Sequence, residues 1–215
     1  MTSLIGKEDT KEIRTLFRSQ LESEVDILLF TSKEASVFCA PTKRLLEEVA
    51  SLTDKVRLQV LDNDEGTAKA VEMAVDLAPT TVVISSNGAK LYFVGIPAGR
   101  QLKCLVEDIV DSSRGRTQMD EQTRRIIRRV TVPTIIRVFV TTFCPYSPLV
   151  VRSAHRFALE NPMIRALMVE TAEFPELTKR YNVVGVPRTV INDRLQFDGA
   201  PSEEAFATKV LEASM

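Results

Sequence analysis

Apolar and polar positions along this 215-residue chain follow two periods, and the same succession of periods occurs twice. Asp26–Thr31 (DILLFT) and Ile135–Thr141 (IIRVFVT) are apolar, β-branched runs of strand length, the pattern of strands buried on both faces. After each, a short loop carrying a cysteine leads into apolar positions at helical spacing. Cys39–Ser51 turns Leu45, Leu46 and Val49 inward, and Cys144–Asn161 turns Val150, Ala154, Phe157 and Ala158 inward. Strands are predicted next over Val56–Leu61 and Ile164–Val169, then polar helices over Thr67–Val75 and Pro175–Tyr181. In each half a proline then opens a strand: Ala78-Pro79 before Thr80–Ile84, and Val186-Pro187 before Arg188–Ile191. Asn87-Gly88 and Asn192-Asp193 mark the hairpin turns that follow. Closing helices are predicted over Arg100–Ser112 and Ser202–Ala213.

The spacing sharpens the repeat. Ser36 precedes Pro79 by 43 positions and Cys144 precedes Pro187 by the same 43, so an offset of 108 sets Ser36 opposite Cys144 and Cys39 opposite Ser147. Strand–helix–strand–helix–strand–strand–helix puts βαβ crossovers first and a hairpin last, which implies an α/β fold with a mixed central sheet flanked by helices in each half. The expected units are 1–115 and 116–215. Ser113–Arg129 forms the junction and includes a charged helix, Asp120–Arg129, that corresponds to Lys7–Leu21 at the N-terminus.

Composition narrows the function classes. An apolar content of 44% can fill a core in two units of about 100 residues. A net charge of −1 gives no electrostatic reason to expect nucleic acid or an anionic membrane as partner. The longest apolar runs are strand-sized and Met1–Lys11 is polar, so no signal peptide or membrane span is visible and a cytoplasmic location is expected. Charged residues at 27% fit a thermophile's composition. Three cysteines, Cys39, Cys104 and Cys144, are too few for a secreted disulfide scaffold, so their value is chemical.

Two of them sit where chemistry is favoured. A cysteine at the start of a helix faces unpaired backbone N–H groups and the positive end of the helix dipole, which favours its thiolate. Cys144-Pro145-Tyr146-Ser147 has such a sulfur, with Pro145 suited to the first helical turn. A thiol three residues on could expel a bound partner, but that position holds Ser147. The first half is reversed: Ser36-Val37-Phe38-Cys39 has serine at the attacking position and keeps the second cysteine. Neither half can close its own disulfide.

Cys144-Pro145-Tyr146-Ser147 differs by one atom from CPYC, the motif of glutaredoxins and of the archaeal-type protein disulfide oxidoreductases. Leu91–Asp111 (LYFVGIPAGRQLKCLVEDIVD) and Thr141–Asn161 (TTFCPYSPLVVRSAHRFALEN) also resemble the matching stretches of those two-domain proteins. The resemblance covers nearly the whole chain. It implies tandem thioredoxin-like folds, no bound cofactor, protein thiols and disulfides as substrates, and a flavin-dependent thioredoxin reductase as electron source. In the family a cis-proline faces the active site and the residue before it pairs its backbone with substrate. Those roles fall to Pro187 with Val186 and to Pro79 with Ala78, while Pro145 and Tyr146 flank the attacking sulfur. No residue takes the place of the buried acid found in thioredoxin.

The resemblance therefore implies a thiol–disulfide oxidoreductase of impaired or monothiol activity, with Cys144 forming mixed disulfides. Ser36 and Ser147 stand either as natural divergence or as Cys→Ser changes; a serine at 36 beside a spared Cys39 favours divergence. The alternative is a redox-inactive module that holds extended peptides in the Pro187 groove. Iron–sulfur ligation ranks last, because monothiol glutaredoxins carry Gly-Phe where this chain has Pro145-Tyr146. For Cys39, a nucleophile and a small buried apolar residue remain equal readings. Cys104 points away from the stripe of Leu102, Leu105, Val106 and Ile109 and is expected at the surface. His155, without a second ligand at metal spacing, is expected to be solvated or capping. Asp62–Gly66 reads as a strand-to-helix loop rather than a calcium loop.

Overall fold

A computed structural model of the chain describes residues 3–32 and 37–215, with 62–67 described by backbone alone. The order of elements is α1 (Lys7–Gln20), β1 (Val25–Thr31), α2 (Cys39–Ala50), β2 (Val56–Asp62), α3 (Asn63–Glu72), β3 (Thr80–Ile84), β4 (Lys90–Val94) and α4 (Gln101–Arg114). The same order follows in α5 (Glu121–Arg128), β5 (Thr134–Val140), α6 (Ser147–Glu160), β6 (Ile164–Glu170), α7 (Pro175–Arg180), β7 (Arg188–Ile191), β8 (Leu195–Asp198) and α8 (Glu203–Ala213). Two boundaries differ from expectation. Helix α3 begins at Asn63, directly after β2, so the expected loop over 62–66 is mostly helix. Helix α6 begins at Ser147, which leaves Cys144 and Pro145 ahead of the first turn and puts Pro148 within it.

The strands form one mixed, eight-stranded sheet in the order β2-β1-β3-β4-β6-β5-β7-β8. Rather than two separate sheets, the halves join where β4 lies parallel to β6, from Leu91 opposite Ala166 to Val94 opposite Val169. β1 is antiparallel to β3 and β3 to β4, so β1 and β4 point the same way, as do β6 and β5. The C-terminal ends of β1 and β5, and the start of β3 and β7, therefore share one edge of the sheet. That edge receives both cysteine loops and both strand-opening prolines.

Side chains alternate across the sheet with the two-residue period of a strand. Ile27, Leu29, Val83, Phe93, Val138, Met168 and Ile191 face one continuous core that runs through both halves under α1, α2, α4, α5, α6 and α8. On the other face, Leu28, Phe30, Val82 and Tyr92 pack with Met73 next to α3. Val94, Phe139, Val169 and Val190 pack with Tyr181 after α7. Burying side chains of this size stabilises the fold by about 1.5–3 kcal/mol each.

Helix α4 has two buried faces, and this overturns two expectations. Leu105 and Ile109 face the sheet, while Cys104, Asp108 and Asp111, at helical spacing, face α6. Cys104 is therefore fully buried, not a surface thiol, and burial pushes its pKa up to about 12. His155 is likewise sealed inside, because α4 closes over the face of α6 that would otherwise meet solvent. Its Nδ1 lies 2.6 Å from Asp108 Oδ2 and its Nε2 3.2 Å from the Tyr92 carbonyl oxygen. Both neighbours are acceptors, so an Nε2–H donates to Tyr92 and one proton is held between Nδ1 and Asp108. Arg152 joins the same network, donating to Asp108, to Asp111 at 2.6 Å and to Glu107 at 3.1 Å. Taking two partners out of water is costly unless every donor and acceptor is matched, and here the match ties α4 to α6.

Candidate functional site

The loop after β5 is built from both halves of the chain. Ahead of Cys144, the Thr142 carbonyl accepts from the Arg100 N–H at 2.8 Å and the Thr141 carbonyl accepts from Gln101 Nε2 at 3.1 Å. Behind it, the Pro148 carbonyl accepts from the Cys104 thiol at 3.6 Å. Gly99 makes this approach possible: with φ +58°, it lies so near that a Cβ would stand 2.5 Å from the Thr142 oxygen. Residues 99–104 thus brace both flanks of Cys144. None of these contacts was expected from the sequence. The signal available was the second stripe of α4, Gln101, Cys104, Asp108 and Asp111, too small or polar for a sheet-facing stripe yet at helical spacing.

Cys144 itself is half-buried, and its thiol donates to the carbonyl oxygen of Val186 at 3.5 Å. The Val186–Pro187 peptide bond is cis, and the Pro187 carbonyl accepts from Gly199 N–H at 2.9 Å. Sequence positions 42 apart are in this way brought into contact. Burial works to raise the Cys144 pKa, but hydrogen bonding from the Ser147 hydroxyl and from the N–H groups of Tyr146 and Ser147 outweighs it, and the net direction is down. Ser147 heads α6 with its side chain fully buried, and its hydroxyl meets no partner of standard hydrogen-bond geometry. The Cys144 thiolate is the acceptor that would satisfy it, since a buried donor without a partner is costly.

Around the sulfur the surface is apolar and open. Phe143 is 86% exposed, Tyr146 63% and Val184 85%. Pro145 is exposed as well, and only Ser147 of the four motif residues is fully inside. Large apolar side chains left in water on two adjoining loops form an exposed apolar surface beside the sulfur.

The first half repeats part of this arrangement. Cys39 is the first residue of α2, as Ser147 is of α6, and is half-buried. The Ala78–Pro79 bond is cis, and the Pro79 carbonyl accepts from Gly95 N–H at 2.9 Å, the counterpart of Gly199 and Pro187. Ser36 lies outside the described residues. Next to Gly95, Glu173 from the loop after β6 accepts from Ile96 N–H at 2.6 Å. Burial raises its pKa to about 7, and the neighbouring Glu170 carboxylate acts in the same direction.

All three cysteines are free thiols. Among the described residues no group of histidine, cysteine and carboxylate side chains could hold a metal ion, and no helix is long and apolar enough to cross a membrane.

Comparisons with known proteins agree with this geometry. A family model described as a thioredoxin domain matches residues 134–212. The thioredoxin of Methanocaldococcus jannaschii is 30% identical over 76 residues, which is 35% of this chain and 89% of that protein. An alkyl hydroperoxide reductase polypeptide of Pseudomonas aeruginosa is 22% identical over 168 residues, 77% of this chain. The chain spans only 30% of that longer protein. Among solved structures, a protein disulfide oxidoreductase from Aeropyrum pernix superposes with a TM-score of 0.90 at 28% identity, covering 100% of this chain and 95% of that one.

Proposed function

The chain belongs to the thioredoxin family, and we propose that it is a monothiol disulfide-exchange protein acting through Cys144. The observation that carries this reading is the contact of the Cys144 sulfur with the Val186 carbonyl beside a cis-proline, at an open apolar surface. The Cys144 thiolate attacks one sulfur of a substrate disulfide. A Cys144–substrate disulfide forms, the substrate's own S–S bond breaks, and the second substrate sulfur leaves as a thiolate with the electron pair. Ser147 cannot take the next step. A thiolate from another molecule attacks the mixed disulfide at the substrate sulfur and returns Cys144 as thiolate, so sulfur partners are exchanged without net oxidation.

Protein thiols and disulfides are the substrates under this reading. A thioredoxin reductase-like flavoprotein is the proposed electron source whenever reduction rather than exchange is required; the relation to an alkyl hydroperoxide reductase supports a reductase partner of this kind. Cys39, with Ala78 and Pro79, is proposed as a second site in which the sulfur sits at the resolving position of the motif that begins at Ser36 in sequence, and it is assigned peptide contact rather than attack. The units 1–115 and 116–215 are proposed as the two folds, supported by the repeated order of elements.

A second reading draws on the exposed Phe143, Tyr146 and Val184: the groove holds extended peptides and the sulfur is incidental. Incubation with a scrambled disulfide substrate, quenching and peptide mapping separate the two. Exchange puts the adduct on Cys144, and Cys144→Ala abolishes capture while leaving peptide binding intact. Adduct mainly on Cys104, or capture that survives Cys144→Ala, would sink the exchange reading.

A further inference from the structure

A groove of about 710 Å³ runs beside the Cys144 loop, with one wall from the start of α4 in the first half and the other from α6 in the second. Pro145, Pro148 and Leu149 give it an apolar wall that continues from the surface around the sulfur. Its charges differ in how far they are engaged. Arg100, Lys103, Arg152 and Arg156 line it against Glu107 and Glu203. The two carboxylates are already engaged, Glu107 by Arg152 at 3.1 Å and Glu203 by Arg156 at 3.4 Å. Lys103 reaches Glu107 only at 3.7 Å and its side chain is 78% exposed. Arg100 is exposed and makes no ion pair among the described residues. Asp108 and Asp111 hold Arg152 and Arg156 as well, so the cations left facing solvent along the groove are Arg100 and Lys103.

We propose that this groove receives an acidic polypeptide segment flanking the disulfide of a protein substrate, with Arg100 and Lys103 as its specificity-determining residues. The inference rests on Cys144 being the attacking thiolate and adds the substrate class. Arg100 suits the role by position: its N–H holds Thr142, two residues from the sulfur, while its side chain stays in solvent. A substrate whose cysteine reaches Cys144 would lay its neighbouring residues along the groove. Carboxylates there would meet two cations with no competing internal partner of comparable strength. Attraction of this kind acts chiefly on the rate of encounter and is screened by salt.

The test uses the full chain and three peptides whose single cysteine is activated as a 2-pyridyl disulfide, flanked by glutamates, serines or lysines. Cys144 thiolate attacks the peptide sulfur, the peptide–pyridyl S–S bond breaks, and the leaving sulfur departs with the electron pair and is protonated to neutral 2-thiopyridone. Cys144→Ala sets the background from Cys39. At low ionic strength the acidic peptide should react about tenfold faster than the basic one. The ratio should fall toward one with added salt. Arg100→Glu with Lys103→Glu should reverse the order, read as the ratio of acidic to basic rates with each divided by the serine peptide's rate in the same variant. Equal rates for acidic and basic peptides overturn the groove proposal and leave the exchange reading standing. No reaction above the Cys144→Ala background with any peptide overturns both.

Discussion

The backbone N–H of Arg100 donates to the carbonyl of Thr142 at 2.8 Å, so the first half of the chain holds the loop that carries the second half's sulfur. Gly99 permits this contact, since a side chain there would meet the Thr142 carbonyl and would have to adopt a positive φ. Gly99→Ala is expected to lower stability by about 1–3 kcal/mol and to slow alkylation of Cys144. Urea unfolding and timed iodoacetamide labelling with peptide mapping check both. Unchanged labelling would show that the brace is unnecessary for reactivity.

Ser147 offers a two-way test of the site. Ser147→Cys places a thiol at the head of α6, within reach of a substrate bound to Cys144, and should bring turnover in a disulfide reduction assay at least tenfold above the parent chain. Ser147→Ala removes a hydroxyl that favours the thiolate, so the pH midpoint of Cys144 alkylation should move upward. A midpoint that stays put would remove the hydroxyl from the mechanism.

Glu173 should make stability depend on pH. Its folded pKa of about 7 lies above the ordinary 4.5, because burial and Glu170 disfavour its charged form. The folded chain therefore holds this proton more tightly than the unfolded chain. The resulting stabilisation is complete below about pH 4.5 and is lost as pH rises through 7. Glu173→Gln keeps an acceptor for Ile96 N–H and removes the titration. At pH 8 it should be more stable than the parent by about 1 kcal/mol, a figure discounted for solvent screening, and the gain should vanish at pH 4. Denaturant midpoints at the two pH values measure it.

Asp108 and Lys103 lie five residues apart on α4 and should behave oppositely. Asp108→Ala leaves Arg152 and His155 buried without their shared acceptor, and a loss of about 3–5 kcal/mol is expected. Lys103→Ala breaks only an exposed pair with Glu107 at 3.7 Å and should cost less than about 1 kcal/mol. Similar urea midpoints for the two variants would mean that the seam between α4 and α6 contributes little.

Local pattern made much of the fold legible. Strand β1 and strand β5 are continuous apolar runs because they lie inside the sheet with both faces covered, and such runs are readable from the chain alone. The charged helix was readable too, and Asp120, expected as its first residue, caps it instead, accepting from Gln122 and Thr123 N–H at the head of α5. Helix α6 starts three residues later than its pattern suggests, because Pro145 and Pro148 both suit a first helical turn and the structure uses Pro148. Cys104 and His155 were misplaced for one shared reason. A helix with polar residues on its second face looks solvated until another helix is known to cover that face.

From composition and periodicity alone, the chain determined its succession of elements, their repetition, and the order of the motif around Cys144, since each depends on neighbours a few positions apart. Only tertiary structure decided that β4 would pair with β6 and merge two sheets into one, and that residues 99–104 would brace the other half's sulfur. Those choices come from surfaces meeting across long separations in sequence. Backbone hydrogen bonds at a strand edge have no periodic signature, and the polar stripe of a helix seam, though periodic, reads as solvated until the halves are in contact.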